Sequence, residues 1–217
     1  MNNCKTILYI HGMGGGGDSR IPAILKDVFN CMHSDRNIDI VIKTYNFNPE
    51  EAAKQIKSWV VDFRPVLVIG ESLGSIHAIR IKGIPHILIS PSLGAPGYFG
   101  HLAFLSLIPG VRYMLNKIYK PRSGDRQVID FKYNILKKYI GHEAKALKNT
   151  PVHGSNDVFY AFFGTQDHYR KTGVVSIRKY VKYFGNTYEI YDGTHFMEER
   201  NIYEKLIPKI FEFLDND

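Results

Sequence analysis

Gly70-Glu71-Ser72-Leu73-Gly74 sets a serine between two glycines, directly after the apolar run Val66-Leu67-Val68-Ile69 and before a helix-compatible stretch. Strand, tight turn and helix in that order are the context of a nucleophile elbow, where the serine hydroxyl projects from a sharp turn. A side chain at 70 or 74 would meet the neighbouring strand or helix, so the turn asks for glycine there. A serine hydroxyl is a weak nucleophile until a base takes its proton and an acid orients that base. Two later segments supply both types. Gly164-Thr165-Gln166-Asp167 ends one apolar run in a carboxylate, and Asp192-Gly193-Thr194-His195-Phe196 ends the next in an imidazole. In that order His195 would take the proton from Ser72 and return it to the leaving group. Asp167 would hold the ring tautomer and stabilise the imidazolium. The chemistry is attack on a carbonyl carbon through an acyl-serine intermediate.

Such an attack develops negative charge on the carbonyl oxygen, which calls for preorganised N–H donors. Leu73, next after the serine, offers one from its backbone. The loop His11-Gly12-Met13-Gly14-Gly15-Gly16-Gly17 offers another, expected from Met13, with His11 anchoring the loop rather than moving protons. Gly12, Gly14 and Gly17 also match the G-x-G-x-x-G dinucleotide fingerprint. That reading needs an acid about 20 positions on, at the end of the second strand, and Thr44-Tyr45-Asn46 has none. No Gly-Lys-Ser/Thr follows the glycines, as a nucleoside-triphosphate loop requires. No cofactor is expected. Asp192 is a rival orienting acid, read here as a turn former, and Glu71 is read as structural. His77 is expected in or near helix packing and His168 in an exposed loop. His101, His142 and His153 lack metal-ligand spacing, so no metal site is expected.

These residues need a scaffold, and the chain supplies alternating elements. Strands are predicted over 6–10, 38–45, 66–70, 86–90, 158–163 and 187–191, and helices over 21–29, 49–62, 73–81, 173–184 and 198–214. Several strands are continuous apolar or β-branched runs, as in sheets covered on both faces. The expected class is α/β: a mainly parallel sheet with right-handed crossovers and helices on both faces. Sites in such sheets lie beyond the carboxyl ends of the strands. One domain over 1–217 is expected, with a core of 5–92 and 157–215 and a helical cap insertion over about 93–150. Ten lysines and arginines face three acids in that insertion, an excess of seven that equals the formal +7 of the whole chain. Everything else is neutral overall. The insertion also holds the apolar stretch 101–108, so a cap above Ser72 would bring both greasy and basic surface to the site. It could attract an acidic substrate, an anionic headgroup or a partner. Its scattered cations carry no nucleic-acid motif. Two cysteines without metal spacing, no secretory pattern at the N-terminus and no membrane-length apolar run point to a cytoplasmic protein.

Tyr9-Ile10-His11-Gly12, Gly70-Glu71-Ser72-Leu73-Gly74, Gly164-Thr165-Gln166-Asp167 and Gly193-Thr194-His195-Phe196 together resemble the α/β-hydrolase superfamily. The short early strands and the late Thr194-His195-Phe196 are similar to the small bacterial YqiA-like esterase group. The resemblance covers 5–92 and 157–215 and finds no counterpart for the insertion. It implies hydrolysis of a carboxylic ester or thioester, without a cofactor. Acyl transfer on the same residues is one alternative. A non-catalytic protein whose basic cap docks an acidic partner or membrane surface is another. The run of four glycines departs from the family pattern.

Overall fold

The structure, a computed structural model, describes residues 4–31, 36–121 and 123–215. Six strands form one parallel sheet: β1 (Lys5–Ile10), β2 (Ile38–Ile42), β3 (Leu67–Glu71), β4 (His86–Ile89), β5 (Phe159–Gly164) and β6 (Tyr188–Tyr191), in the order β2-β1-β3-β4-β5-β6. Alternate side chains on each strand enter different cores, because successive residues point to opposite faces. Ile7 and Tyr9 pack with α1 (Arg20–Cys31) on one face, while Leu8 and Ile10 join the helices on the other. The expected α/β class, with both faces of the sheet covered, is the class observed.

On the Leu8 face lie α2 (Pro49–Phe63), α3 (Gly74–Ala78), α4 (Ala95–Leu105) and α6 (Tyr133–Leu147). The start of α2 follows its sequence closely. Pro49 takes the first turn, Glu50 and Glu51 follow, and the Asn48 side chain accepts from the Glu50 N–H at 3.2 Å. The helix after the elbow is shorter than the predicted 73–81. Asn149 donates to the carbonyls of Ile79 and Ile81 at 2.7 and 2.9 Å, and the His86 Nε2–H donates to Ala78 at 3.0 Å. Those carbonyls are satisfied without a further turn of helix.

The predicted 173–184 helix begins only at Ile177, and the predicted 198–214 helix is interrupted. Gly173, at φ +79°, separates α7 (Tyr169–Thr172) from α8 (Ile177–Phe184), which Ser176 caps by accepting from the Lys179 N–H at 3.1 Å. The predicted 198–214 helix becomes α9 (Glu199–Asn201), a π-helical turn over Ile202–Leu206 and α10 (Ile207–Asp215). Pro208 accounts for the wide turn, since it has no N–H to donate and its ring crowds the preceding turn. The predicted 38–45 strand stops at Ile42, and Tyr45 turns inward to donate from its hydroxyl to the His11 carbonyl at 2.6 Å.

Between β4 and β5 the chain makes α4, α5 (Val111–Ile118) and α6. α6 packs on α2, α3 and α4, buries Leu136 and Tyr139 completely, and ties the Tyr139 hydroxyl to the Phe47 carbonyl at 2.7 Å. α5 buries none of its residues.

Candidate active site

Ser72 lies just past the carboxyl end of β3 with φ +50°, in the left-handed region that L-residues avoid. Such a conformation costs on the order of 1–3 kcal/mol and persists only where its surroundings enforce it. The Ser72 N–H donates to Ile89 at 2.8 Å, and its carbonyl accepts from Ser92 at 3.1 Å and Ser75 at 3.2 Å. The flanking glycines are needed for contact. A Cβ on Gly70 would stand 2.7 Å from the Ala78 Cβ, and one on Gly74 would collide with the carbonyl oxygens of Ile10 and His11.

Asp167 and His195 follow the ends of β5 and β6, on the same sheet edge. His195 Nε2 lies 2.9 Å from Ser72 Oγ, and His195 Nδ1 lies 2.8 Å from Asp167 Oδ2. The second carboxylate oxygen, Asp167 Oδ1, accepts from the Tyr169 N–H at 2.8 Å. Asp167 and His195 are buried, and the Tyr169 ring meets the imidazole edge-on at 4.6 Å. Asp192 does not reach His195 by a hydrogen bond; it accepts from Thr165 and Gln166, each at 3.1 Å. Ser92 Oγ stands 3.0 Å from Ser72 Oγ, a neighbour the sequence did not single out.

Met13 and Leu73 both line the cavity at Ser72, and among the described residues neither backbone N–H has a hydrogen-bond partner. The rest of the glycine loop serves another purpose. Its space is filled by the returning segment of the insertion, Gly124–Gln127. The Gln127 N–H donates to the Gly15 carbonyl at 2.7 Å, and a Cβ on Gly16 would land on the Asp125 carbonyl. The buried Gln127 side chain accepts from Gly14 at 3.1 Å and donates to the Tyr45 carbonyl at 3.1 Å. His11 donates to the Gly12 carbonyl at 2.7 Å and stacks on Tyr45 at 4.3 Å; burial pushes its pKa down to about 4. Glu71 accepts from the Tyr9 hydroxyl at 2.8 Å, which ties the turn before Ser72 to β1. Burial raises the Glu71 carboxyl above the ordinary carboxylate range.

His77 and His142 form a pair that spacing along the chain gave no reason to connect. The Arg80 guanidinium donates to His142 Nδ1 at 2.6 Å, and His142 Nε2 lies 2.9 Å from His77 Nδ1. Arginine cannot accept, so it fixes His142 with its proton on Nε2, donating to His77. Burial, then the neighbouring charge of Arg80, lowers the His142 pKa to about 3; the His77 pKa falls for the same first reason. His168 and His101 are exposed, as is His153.

A cavity of about 960 Å³ opens over Ser72. Its walls are largely apolar, from Ala95, Phe99, Ile118, Ile129 and Val174, with Arg20, Lys120 and Arg126 also on its lining. Arg126 is paired with Asp18 at 2.7 Å and Arg20 donates to the Met197 carbonyl at 2.5 Å. Lys120 has no such partner among the described residues. A second depression, of about 740 Å³, lies beside the Asp167 loop and includes neither Ser72 nor His195.

No protein-family model and no curated protein matches this chain. Solved structures do. Monoacylglycerol lipase of Paleococcus ferrophilus is 16% identical, with a TM-score of 0.61 over 96% of this chain and 93% of that one. Est1E of Butyrivibrio proteoclasticus, solved with ferulic acid bound, is 14% identical with a TM-score of 0.63 over 99% of this chain and 91% of its own. A bromoperoxidase from Bacillus anthracis is 9% identical, with a TM-score of 0.63 over 99% and 93%. Coverage this complete takes in the 93–150 segment, for which the sequence motifs found no counterpart. By its parallel sheet, its strand-end site and these likenesses, the chain has the α/β-hydrolase fold.

Proposed function

We propose that this protein is a serine hydrolase of carboxylic esters or thioesters. The observation that carries the reading is the unbroken contact Ser72 Oγ–His195 Nε2 and His195 Nδ1–Asp167 Oδ2, at 2.9 and 2.8 Å. Nucleophile, base and orienting acid are each within hydrogen-bond reach of the next. Ser72 attacks the acyl carbon as His195 takes its proton. The N–H groups of Met13 and Leu73 receive the oxyanion, and His195 protonates the leaving alkoxide or thiolate. Water then repeats the cycle on the acyl-serine. Water-excluding acyl transfer would use the same residues. The proposed cap, about 93–150, meets the cavity through α4 and through Ile118–Pro121, while its α6 packs into the core layer of helices.

The esterases and lipases that share the fold support an ester substrate, and the apolar cavity walls support an acyl portion. Cys4 and Cys31 are exposed and unpaired, which fits the proposed cytoplasmic setting. An alkyl fluorophosphonate probe tests the reading. Covalent labelling of the folded protein that is lost in Ser72→Ala is the expected result. Absence of labelling in the folded wild-type chain would overturn it and leave a binding protein in its place.

A further inference from the structure

We infer that the outer face of the cap, from the end of α4 through α5, is a docking surface for an anionic lipid bilayer. Leu105, Leu107, Ile108, Tyr113, Met114 and Ile118 are each half or more exposed, within a span of fourteen residues. Monomeric soluble proteins rarely leave so dense a cluster of large apolar side chains uncovered. α5 contributes no buried residue, so the cluster stands at the surface rather than in a recess.

The charges within it are of one sign. No aspartate or glutamate occurs anywhere from residue 93 to residue 124, while Arg112, Lys117 and Lys120 lie among the apolar residues. Arg122 belongs to the same basic set and lies outside the described residues. Lys137 covers the exposed Phe104 ring at 4.8 Å, adding a further cation at the edge. Apolar side chains interleaved with lysine and arginine, and no acids, form the pattern of an element lying in a headgroup region. Tyr113 and Tyr119 add amphipathic rings of the kind that sit at that level. A second copy of the chain is a poor occupant, because it would press the same cations against one another. A bilayer with anionic lipids meets both the apolar and the basic demand.

The geometry also connects this surface to the cavity. Ile118 belongs to the exposed cluster and to the cavity lining, and Tyr119, Lys120 and Pro121 line the cavity beside it. Bound in this way, the mouth above Ser72 would open at the lipid surface. Resting on the proposed chemistry, the substrate is then an ester whose acyl chain is already partitioned in the bilayer.

The test separates docking from chemistry. Ser72→Ala protein would be pelleted with vesicles of phosphatidylcholine and phosphatidylglycerol at about 7:3, and with phosphatidylcholine alone, at low salt and about 1 M salt. Binding to the mixed vesicles, weakened by salt and absent from the neutral ones, is expected. Each cation near an anionic surface contributes roughly fivefold, so Arg112→Glu with Lys117→Glu should weaken binding by at least about 25-fold. Leu107→Ser with Ile108→Ser should weaken it about tenfold or more. In the Ser72 background, both pairs should leave turnover of soluble p-nitrophenyl acetate unchanged. Failure of the folded protein to pellet with mixed vesicles would overturn the inference. So would a dimer that these substitutions dissociate in sedimentation velocity, or polyglutamate binding of equal strength that ignores the Leu107 and Ile108 changes. If the hydrolase reading fails, vesicle binding is untouched.

Discussion

Asp167 and Asp192 are carboxylates at neighbouring strand ends on one sheet edge, and their hydrogen bonds separate them. Asp167 is buried and spends one oxygen on His195 and the other on the Tyr169 N–H. Asp192 braces the turn through Thr165 and Gln166. Asp167→Asn is isosteric but presents an amide to the ring and disturbs its tautomer. Turnover of p-nitrophenyl esters should fall by roughly 10⁴, as in serine proteases, with the melting temperature little changed. Asp192→Asn should remain within a few-fold of wild type; the opposite ranking in kcat would transfer the orienting role. Glu71 acts one step back, through its bond to Tyr9 beside the turn that carries Ser72. Glu71→Gln should lower kcat for these esters more than it raises KM, because it loosens the turn that carries Ser72. An effect confined to KM would remove that positioning role.

At the level of elements, the returning segment 124–127 is fastened to the glycine loop by few groups, and Gln127 is the most consequential. Gln127→Ala would strand the Tyr45 carbonyl and the Gly14 N–H, at a cost of about 1–3 kcal/mol. Urea denaturation should register it, and a loss below about 0.5 kcal/mol would mean that water replaces the amide. This fastening also marks how far the sequence can be read. Strand ends near Gly70, Gly164 and Tyr191 are legible because apolar runs stop there at glycine, threonine or aspartate, so the placement of Ser72, Asp167 and His195 on one edge is legible too. The partner of the glycine run lies more than a hundred residues away, and nothing local to Gly14-Gly15-Gly16-Gly17 names it. The link between His77 and His142 is hidden in the same way. The wide turn before α10 had a visible cause in Pro208, overridden in the prediction by a strong helical pattern around it.

For the molecule as a whole, buried neutral histidines tie stability to pH. His11 and His86 have pKa values near 4 in the folded chain and His142 near 3, against about 6.5 when unfolded. The unfolded chain therefore binds more protons below pH 6.5, and stability, complete above that value, falls as pH drops towards 4. Each such histidine contributes a slope of up to about 1.4 kcal/mol per pH unit. Glu71, with its raised carboxyl pKa, works in the opposite sense, one group against several. Urea midpoints should decline steeply between pH 6.5 and 4.5, and His86→Gln should flatten the decline; a profile level over that range would contradict the buried neutral state. The docking of Gly124–Gln127 into the glycine loop has one more consequence, for engineering. A cap borrowed from another protein of this fold could not simply be spliced in at residues 93 and 150. It would have to bring its own backbone to lie across Gly15 and Gly16, or the loop would be left as an unfilled trench beside Ser72. Chimeras should succeed only when cap and loop are exchanged as one cassette.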